Sequence, residues 1–215
     1  MSVELLLHHY WRSSSSWRVR WGLALKGLSY RSNAIDLLKG DQDGDAFKRE
    51  SPMGNVPCLV VDGRPLTEST AILEYLEELQ PTPALLPSDR WLRARTRQLV
   101  QLINAGIQPI QNRRVLLHVS PEAEGQKGWA RHWLVLGLQS LERELELLAG
   151  EGVRGPYAMG ESVTMADLFL VPQLYNARRF HVDVAPYPRV VAVEHAALET
   201  DAAKGSHPDR FEPKK

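Results

Sequence analysis

A change in sequence pattern near residue 82 most constrains the fold of this 215-residue chain. Before it, short strand-like and helix-like segments alternate; after it, strand patterns stop. The segment 80–87, QPTPALLP, carries three prolines and predicts a linker. We therefore expect a small α/β domain over residues 1–82, a linker at 83–87 and an all-helical domain over 88–215.

The first domain has the pattern of a strand–helix–strand unit followed by a hairpin and a helix. Asp62-Gly63 is a tight-turn signal between two strand patterns. Leucine and isoleucine recur on one stripe of residues 69–79, with glutamates opposite, which predicts an amphipathic helix. The predicted strands are 3–8, 30–37 and 56–61, and the predicted helices are 17–26, 43–49 and 69–79.

The second domain shows only helical periodicity. Residues 90–117 predict one or two helices broken near Pro109. Thr164 and Asp167 form a capping-box pattern that predicts a helix start. We expect a loosely ordered tail over 205–215. A further helix is predicted at 129–148, with core candidates Trp133, Leu136, Leu141 and Leu148.

Composition and charge exclude several kinds of protein. The 26 basic side chains balance 26 acidic ones, so no net charge attracts nucleic acid or an anionic membrane. One cysteine excludes an internal disulfide framework, and the histidines lack the spacing of metal ligands. Neither a membrane-spanning run nor a secretory signal is recognisable. We expect a cytoplasmic protein with a small-molecule partner, and no metal, nucleic acid or membrane partner.

Four consecutive serines, residues 13–16, stand between the first predicted strand and helix. A helix start offers unpaired N–H groups and a positive dipole end, and both stabilise an anion. If that anion is a thiolate, a serine O–H donated to the sulfur lowers the thiol pKa. The alternative is that Ser16 caps the helix and the other serines fill a loop.

Two further positions have two interpretations each. Pro57 precedes a buried strand, so Val56-Pro57 is either a cis peptide that presents the Val56 backbone to a ligand or a plain edge-strand proline. Glu68 and Ser69 begin a predicted helix after a hairpin. They can hold an ammonium group and a carboxylate, or serve only as an N-cap.

Together with the all-helical second half, these features resemble the cytosolic glutathione transferases. More narrowly, the chain is similar to the zeta class, which includes the maleylacetoacetate isomerases, over residues 4–210. The resemblance implies a thioredoxin-like α/β domain followed by a helical domain. The segments that carry it are 12–20 (RSSSSWRVR), 55–57 (NVP), 66–69 (LTES), 106–112 (GIQPIQN), 163–168 (VTMADL), 171–173 (VPQ), 176–180 (NARRF), 182–183 (VD) and 186–188 (PYP).

The resemblance implies that glutathione is the cofactor and names the residues that bind it. The zeta loop usually reads Ser-Ser-Cys-X-Trp-Arg and faces the glutathione sulfur; its first three positions fall on Ser13, Ser14 and Ser15. Position 68, commonly Gln in this class, is Glu here, and a carboxylate can still accept from the glutathione ammonium. The implied glutathione-binding residues are Ser13, Ser14, Ser15, Val56, Pro57, Glu68, Ser69, Gln108 and Asn112.

The implied activity is a glutathione-dependent cis–trans isomerisation of an acidic diketo substrate. Guanidinium groups would hold the substrate carboxylates and stabilise developing negative charge. The implied catalytic residues are Ser13, Ser14, Ser15, Arg12 and Arg179. The implied substrate-binding residues are Arg12, Gln108, Arg113, Arg114 and Arg179. The sequence leaves open which serine meets the sulfur and which member of Arg113/Arg114 and of Arg178/Arg179 is engaged.

The class cysteine is replaced by Ser15. A thiol there is needed to resolve a mixed disulfide with glutathione, as in reductive dehalogenation, but isomerisation does not need it. The single cysteine, Cys58, follows Pro57 in an apolar strand, and we interpret it as a small buried hydrophobe.

The substrate has two close candidates. Segment 106–109 is similar to maleylacetoacetate isomerases of tyrosine breakdown, whereas 112–114 is more similar to maleylpyruvate isomerases of the gentisate pathway. Other possibilities are a general zeta glutathione transferase acting on α-haloacids and a non-enzymatic binding module, although the latter usually lacks the serine loop that persists here. The resemblance further implies a homodimer and a glutathione transferase side activity.

Overall fold

The computed structural model describes residues 3–214, which fall into two compact units. The small unit comprises residues 3–85 together with 201–214, and the helical unit comprises 86–200. The sequence-based division placed residues 88–215 in the helical domain, whereas residues 201–214 belong to the small unit. The linker predicted at 83–87 spans the point where one unit gives way to the other.

A four-stranded sheet forms the centre of the small unit, in the order β2-β1-β3-β4. β1 runs parallel to β2 and antiparallel to β3, and β3 and β4 form a hairpin. Asp62 and Gly63 both have positive φ, 47° and 77°, as the predicted tight turn requires. The elements are β1 Leu5–His9, α1 Ser14–Leu25, β2 Arg31–Ala34, α2 Asp45–Lys48, β3 Cys58–Val61, β4 Arg64–Thr67 and α3 Ser69–Leu79.

The predicted strand–helix–strand unit, hairpin and final helix are therefore confirmed, although the three strands predicted at 3–8, 30–37 and 56–61 are shorter in the structure and the first two helices differ in their bounds. A 3₁₀ turn at Asp41–Asp43 precedes the short helix α2. α1 begins at Ser14, three residues before the helical pattern becomes visible at Trp17, because a first turn made of serines carries no apolar periodicity. The serine run therefore lies in the first turn of a helix, where the N–H groups lack intrahelical partners.

Helices alone build the helical unit, and the predicted break near Pro109 is confirmed. A 3₁₀ turn, Pro109–Gln111, separates the first two of them. The helices are α4 Arg90–Gly106, α5 Arg113–Val119, α6 Ala123–Gly150, α7 Met165–Arg179 and α8 Pro188–Leu198.

The core prediction for α6 is partly wrong. Leu141 and Leu148 are buried, but Leu136 is 43% exposed and Trp133 is only half-buried. A separation of five residues turns a helix by about 140°, so Leu136 and Leu141 cannot share a face. The buried stripe instead follows three- and four-residue spacing through Leu134, Leu138, Leu141, Leu145 and Leu148.

The capping box predicted at the start of α7 is confirmed. The wholly buried Asp167 carboxylate accepts the Thr164 N–H at 2.7 Å and the Ala158 N–H at 2.8 Å. Burial raises the pKa of this carboxyl group, and these hydrogen bonds oppose the rise. Asp167 thus ties the loop before α7 to the first turn of the helix.

The final segment is ordered, so the expectation of a loose tail is wrong for residues 205–211. Helix α9, Asp201–Ser206, is followed by a 3₁₀ turn, Pro208–Phe211. α9 packs against α1, with Ser206 and Pro208 buried. Within residues 3–214, no helix combines the length and apolar character needed to cross a membrane.

Candidate functional site

The N-terminus of α1 is capped by Ser13. Its Oγ accepts the Ser16 N–H at 3.2 Å. Acceptance uses an oxygen lone pair, so the Ser13 O–H can still donate to a ligand. Ser16 is itself wholly buried, and its Oγ accepts the Tyr10 N–H at 3.3 Å. The alternative in which Ser16 caps the helix is therefore wrong, and Ser16 braces the preceding chain instead.

Ser14 and Ser15 occupy the first turn of α1. Ser15 is half-buried, and Ser14 is 9% exposed. Among the described residues, the first turn of α1 contains no acidic side chain to neutralise the positive end of the helix. Three hydroxyls at a helix start without a competing carboxylate form a suitable environment for an anion.

A second helix start in the same unit, that of α3, carries Glu68 and Ser69. Glu68 is exposed and has φ 69° and ψ 113°, a backbone conformation that residues other than glycine rarely adopt. Its side chain makes no cap hydrogen bond to α3. Such strain is found at ligand sites because it fixes the direction of the next N–H group, here that of Ser69.

Arg18 lies behind this helix start and was missed by sequence reasoning. Its Nη1 donates to Ser69 Oγ at 3.2 Å, and the side chain is 0% exposed. Burial lowers the pKa of Arg18 to about 9, and the negative charge of Glu68 opposes that change. The one available signal is its place between the apolar residues Trp17 and Val19, since arginine is otherwise expected at the surface.

The peptide bond Val56–Pro57 is cis. β3 lies between β1 and β4, so the edge-strand interpretation of Pro57 is wrong. Sheet pairing of β3 begins at Cys58, which places the Val56 amide and carbonyl ahead of the ladder. The loop before Val56 is braced by the buried Ser51, whose Oγ accepts the Asn55 N–H at 3.0 Å and donates to the Asn55 carbonyl at 2.9 Å.

Cys58 is confirmed as a buried small hydrophobe. It is 0% exposed and packs with Ile35 and Phe47. Burial, with a smaller effect of Glu50, raises the pKa of its thiol to about 11. The thiol is therefore protonated at neutral pH and cannot replace the cysteine absent from position 15.

Arg12 lies in the turn between β1 and α1, next to the serines. It is half-buried, and its guanidinium carbon lies 5.3 Å from the centre of the Trp11 ring, within the range of a cation–π contact. The position is therefore suited to an anionic group that approaches the start of α1.

In the helical unit, four residues predicted to bind glutathione or substrate lie around the 3₁₀ turn and the start of α5: Gln108, Asn112, Arg113 and Arg114. Gln108 precedes the turn and Asn112 precedes α5, and both are half-buried. Arg113 and Arg114 are exposed in the first turn of α5.

The two arginines at the end of α7 have different partners. Arg178 makes a two-pronged ion pair with Glu194, in which Nη2 lies 2.6 Å from Oε2. The Glu194 side chain is only 5% exposed. Arg179 is exposed and donates to Asn176 Oδ1 at 2.9 Å within the same helix. The exposed Arg178 guanidinium is thus paired with a buried carboxylate of α8, whereas Arg179 hydrogen-bonds a neutral amide of its own helix.

No group of three or more His, Cys, Asp and Glu side chains within residues 3–214 is arranged to hold a metal ion.

Comparison with protein families finds two matching domain models. Residues 12–79 match the glutathione S-transferase N-terminal domain, and residues 90–193 match the C-terminal domain. Maleylacetoacetate isomerase from Rattus norvegicus is 45% identical over 207 residues, which cover 95% of this chain and 93% of the rat protein. Maleylpyruvate isomerase from Ralstonia sp. is 41% identical over 206 residues, which cover 94% of this chain and 96% of the Ralstonia protein.

Solved structures agree with the sequence relatives. The holo structure of a bacterial zeta-class maleylpyruvate isomerase superposes with a TM-score of 0.93 at 39% identity, over 98% of this chain and 100% of that one. A structure of maleylacetoacetate isomerase from Anaeromyxobacter dehalogenans has dicarboxyethyl glutathione and citrate in its active site. It superposes with a TM-score of 0.86 at 46% identity, over 98% of this chain and 93% of that one. The chain belongs to the glutathione transferase family, in its zeta class.

Proposed function

We propose that the chain catalyses glutathione-dependent cis–trans isomerisation of an acidic diketo compound, with maleylacetoacetate to fumarylacetoacetate as its main reaction, in aromatic amino acid catabolism. The observation that carries the proposal is the start of α1, where Ser13 caps the helix and three hydroxyls flank unpaired N–H groups. Relatives named maleylacetoacetate isomerase, 43–45% identical to this chain, support the choice of reaction.

The small unit carries a donor set that fits glutathione. Ser69 would bind the γ-glutamyl carboxylate through its O–H and N–H, and the exposed Glu68 carboxylate would accept from the ammonium group. The Val56 amide and carbonyl, ahead of the β3 ladder, would pair with the peptide backbone next to Pro57. Two solved relatives with bound glutathione, in one of them in the active site, support this cofactor.

Bound glutathione supplies the sulfur nucleophile that the isomerisation needs. The chain's own contribution is to keep that sulfur ionised at neutral pH. Ser13, Ser14 and Ser15 would do so by donating O–H groups at the positive end of α1. Among them Ser13 is the primary donor, since its Oγ position is fixed by the cap hydrogen bond from Ser16.

Recognition of the substrate acid falls to cationic groups. Arg179 would bind a substrate carboxylate, since Arg178 is already neutralised by Glu194. Arg12, next to the serines, would stabilise negative charge that develops on the substrate. Arg113 or Arg114 would hold a second carboxylate, and Gln108 and Asn112 would hydrogen-bond glutathione, with Gln108 also contacting substrate. Citrate, another polycarboxylate, occupies the active site of one solved relative.

The hydroxyl at position 15 favours isomerisation over reductive chemistry. Ser15 cannot form a disulfide, and the Cys58 thiol is buried and protonated at neutral pH. A reaction that leaves glutathione unchanged requires neither thiol.

Maleylpyruvate is the second candidate substrate. The maleylpyruvate isomerase holo structure superposes with a TM-score of 0.93 over the whole length of that chain. Both substrates are acidic cis-diketo compounds, so the same residues would serve either.

We also propose that the protein works in the cytoplasm as a homodimer. A reducing compartment maintains the glutathione thiol that the reaction uses. Family membership supports the dimer, and light scattering coupled to gel filtration would test it through a mass near twice 24.2 kDa.

A side-by-side assay tests the reaction. Purified protein is given maleylacetoacetate or maleylpyruvate, each with and without glutathione. We expect turnover only with glutathione and a higher kcat/KM for maleylacetoacetate. A higher kcat/KM for maleylpyruvate would reassign the substrate, and turnover of neither would reject the isomerase. Retention on immobilised glutathione without any turnover would favour a binding module.

A further inference from the structure

The C-terminal segment, residues 201–211, is anchored to α1 of the small unit by side chains at its buried end. Trp17 Nε1 donates to Ser206 Oγ at 3.2 Å. The Trp17 ring also meets the His207 ring edge-on, with centroids 4.9 Å apart. Trp17 is 1% exposed and Ser206 2%, so this contact is part of the core.

Arg20 connects this segment with the chain that precedes the serines. It is 1% exposed, and its Nε donates to the Ser206 carbonyl at 3.2 Å. On the other side, Nη2 donates to the Trp11 carbonyl at 3.0 Å, and Nη1 approaches the Tyr10 carbonyl at 3.5 Å. The Phe211 ring covers the guanidinium at 4.5 Å, a cation–π distance.

Residues 10–13 form a turn that sets the start of α1. The Ser13 N–H donates to the Tyr10 carbonyl at 3.1 Å, and Ser16 Oγ accepts the Tyr10 N–H. Ser13, which closes this turn, is also the N-cap of the helix. The position of its hydroxyl therefore depends on carbonyl groups that Arg20 holds.

His9 completes the polar cluster around Arg20. Its Nδ1 lies 3.2 Å from Arg20 Nη1, and its Nε2 lies 2.7 Å from Ser32 Oγ. Since a guanidinium can only donate, Nδ1 accepts and Nε2 carries the proton that goes to Ser32. The His9 ring also meets Phe211 edge-on, with centroids 5.5 Å apart.

We infer that the C-terminal segment is part of the glutathione-activating apparatus, and that Arg20 is the positioning residue through which it acts. Segment 201–211 holds Arg20, Arg20 holds the carbonyls of the turn, and the turn places the Ser13 hydroxyl. The inference rests on the proposed function, since it assigns a role in lowering the pKa of bound glutathione.

Loss of this arrangement would weaken the serine site in two ways. The turn would lose the hydrogen bonds that fix Ser13, and an O–H that is no longer aimed at the sulfur stabilises the thiolate less. The Tyr10 and Trp11 carbonyls would also become available to accept serine O–H groups, in competition with the sulfur. Both effects raise the thiol pKa while leaving Ser69 and Val56 in place to bind the tripeptide.

Three variants test the inference: Phe211→Ala, which uncovers Arg20; Arg20→Gln; and a chain that ends at Thr200. Arg210→Gln is the matched control, because Arg210 is an exposed arginine of the same 3₁₀ turn. Circular dichroism checks that each variant folds. The ultraviolet absorbance of the thiolate, followed against pH, gives the pKa of bound glutathione, and calorimetry gives its dissociation constant.

We expect the pKa of the bound thiol to rise by about one unit in Phe211→Ala and by more in the truncated chain. For a wild-type thiol pKa near 7, a rise of one unit lowers the thiolate fraction at pH 7 from about a half to about a tenth. At neutral pH kcat would then fall about fivefold and recover as pH rises, while glutathione affinity changes less than threefold. Arg210→Gln would match the wild type. An unchanged thiol pKa in folded Phe211→Ala and truncated proteins would overturn the inference, and so would a kcat loss that higher pH does not restore.

Hydrogen exchange provides a measurement independent of activity, which also covers the case in which Arg20→Gln or the truncated chain does not fold. In Phe211→Ala, the amides of Ser13 and Ser16 should exchange faster than in Arg210→Gln. Equal exchange would contradict the coupling. A wild type that binds no glutathione would instead refute the proposed function, whatever the exchange result.

Discussion

The Arg18 guanidinium is wholly buried behind the first turn of α3, with Nη1 3.2 Å from Ser69 Oγ. A buried cation at this point adds positive charge to the N–H groups of a helix start. The hydroxyl that accepts from Arg18 still has its own proton to donate. Ser69 is therefore a fixed donor supported from inside the core, as recognition of a carboxylate requires.

Ser69→Ala should weaken glutathione binding about tenfold, since it removes a hydrogen bond to a charged group. It should change kcat much less, because the sulfur is at the other end of the tripeptide. Thr70→Val is the matched control: the Thr70 hydroxyl is buried and forms no hydrogen bond with the described residues. Calorimetric titration checks both variants. Equal affinity of Ser69→Ala and Thr70→Val would remove Ser69 from the binding site.

Arg179→Ala and Arg178→Ala should affect different properties of the protein, the first its kinetics and the second its stability. The first should raise the KM for the dicarboxylate more than that for glutathione, with little effect on stability, because Arg179 is exposed. The second leaves the buried Glu194 carboxylate unpaired and should lower stability by about 2 kcal/mol. Steady-state kinetics and urea unfolding separate the two. An unchanged KM for the acid in Arg179→Ala would reject its assignment.

Because of His9, the free energy of unfolding should decrease at acidic pH. Burial, with help from the Arg20 and His8 charges, lowers its pKa from 6.5 to about 4. Between those values the unfolded chain binds a proton that the folded chain does not, so stability is present above pH 6.5 and is lost as pH falls towards 4. The shift corresponds to about 3 kcal/mol.

Urea unfolding at several pH values between 4 and 7 measures this effect. His9→Asn should show a shallower pH dependence than the wild type, whereas His118→Asn, which alters an exposed histidine, should not. Parallel pH profiles for the wild type and His9→Asn would contradict the assignment.

Asp167→Ala should lower stability by about 3 kcal/mol, because the buried N–H groups of Ala158 and Thr164 lose their acceptor. Asp183→Ala is the matched comparison: the exposed Asp183 carboxylate also accepts a backbone N–H, from Ala185 at 3.0 Å. Its replacement should cost less than about 0.5 kcal/mol, since water can serve an exposed amide. Similar losses in the two variants would show that the capping box contributes little.

The sequence predicted those elements whose side chains follow a regular period. The helix at Ser69–Leu79 was predicted with its observed bounds, because its apolar stripe starts directly after a hairpin. Arg18 and Arg20 were missed as core residues, since a basic side chain next to apolar ones is normally assigned to the surface. Their burial depends on partners far along the chain, at Ser69 and Ser206, which no local pattern reveals.

The predicted site residues divide in the same way. The serine run is a local motif, so the sequence indicates a helix start there, but it did not identify which serine caps the helix: Ser13 is the cap, where Ser16 had been the candidate. The choice between Arg178 and Arg179 depends on Glu194 from another helix, so the sequence left it open. The contacts of residues 201–211 with α1 join the two ends of the chain, and short-range periodicity carries no information about them.

The thiol pKa of bound glutathione in the wild type, Ser13→Ala and Ser16→Ala tests most directly whether hydroxyls at the start of α1 stabilise the thiolate. In the wild type it should lie well below the value of about 8.5 for a free thiol. Ser13→Ala should return this pKa most of the way to the free value and cost about 1 kcal/mol of stability through the lost cap. Ser16→Ala removes a hydrogen bond to the preceding turn but no donor to the sulfur, so it should mainly lower stability and shift the thiol pKa much less. A wild-type value equal to that of the free thiol, or one that Ser13→Ala leaves unchanged, would contradict the account.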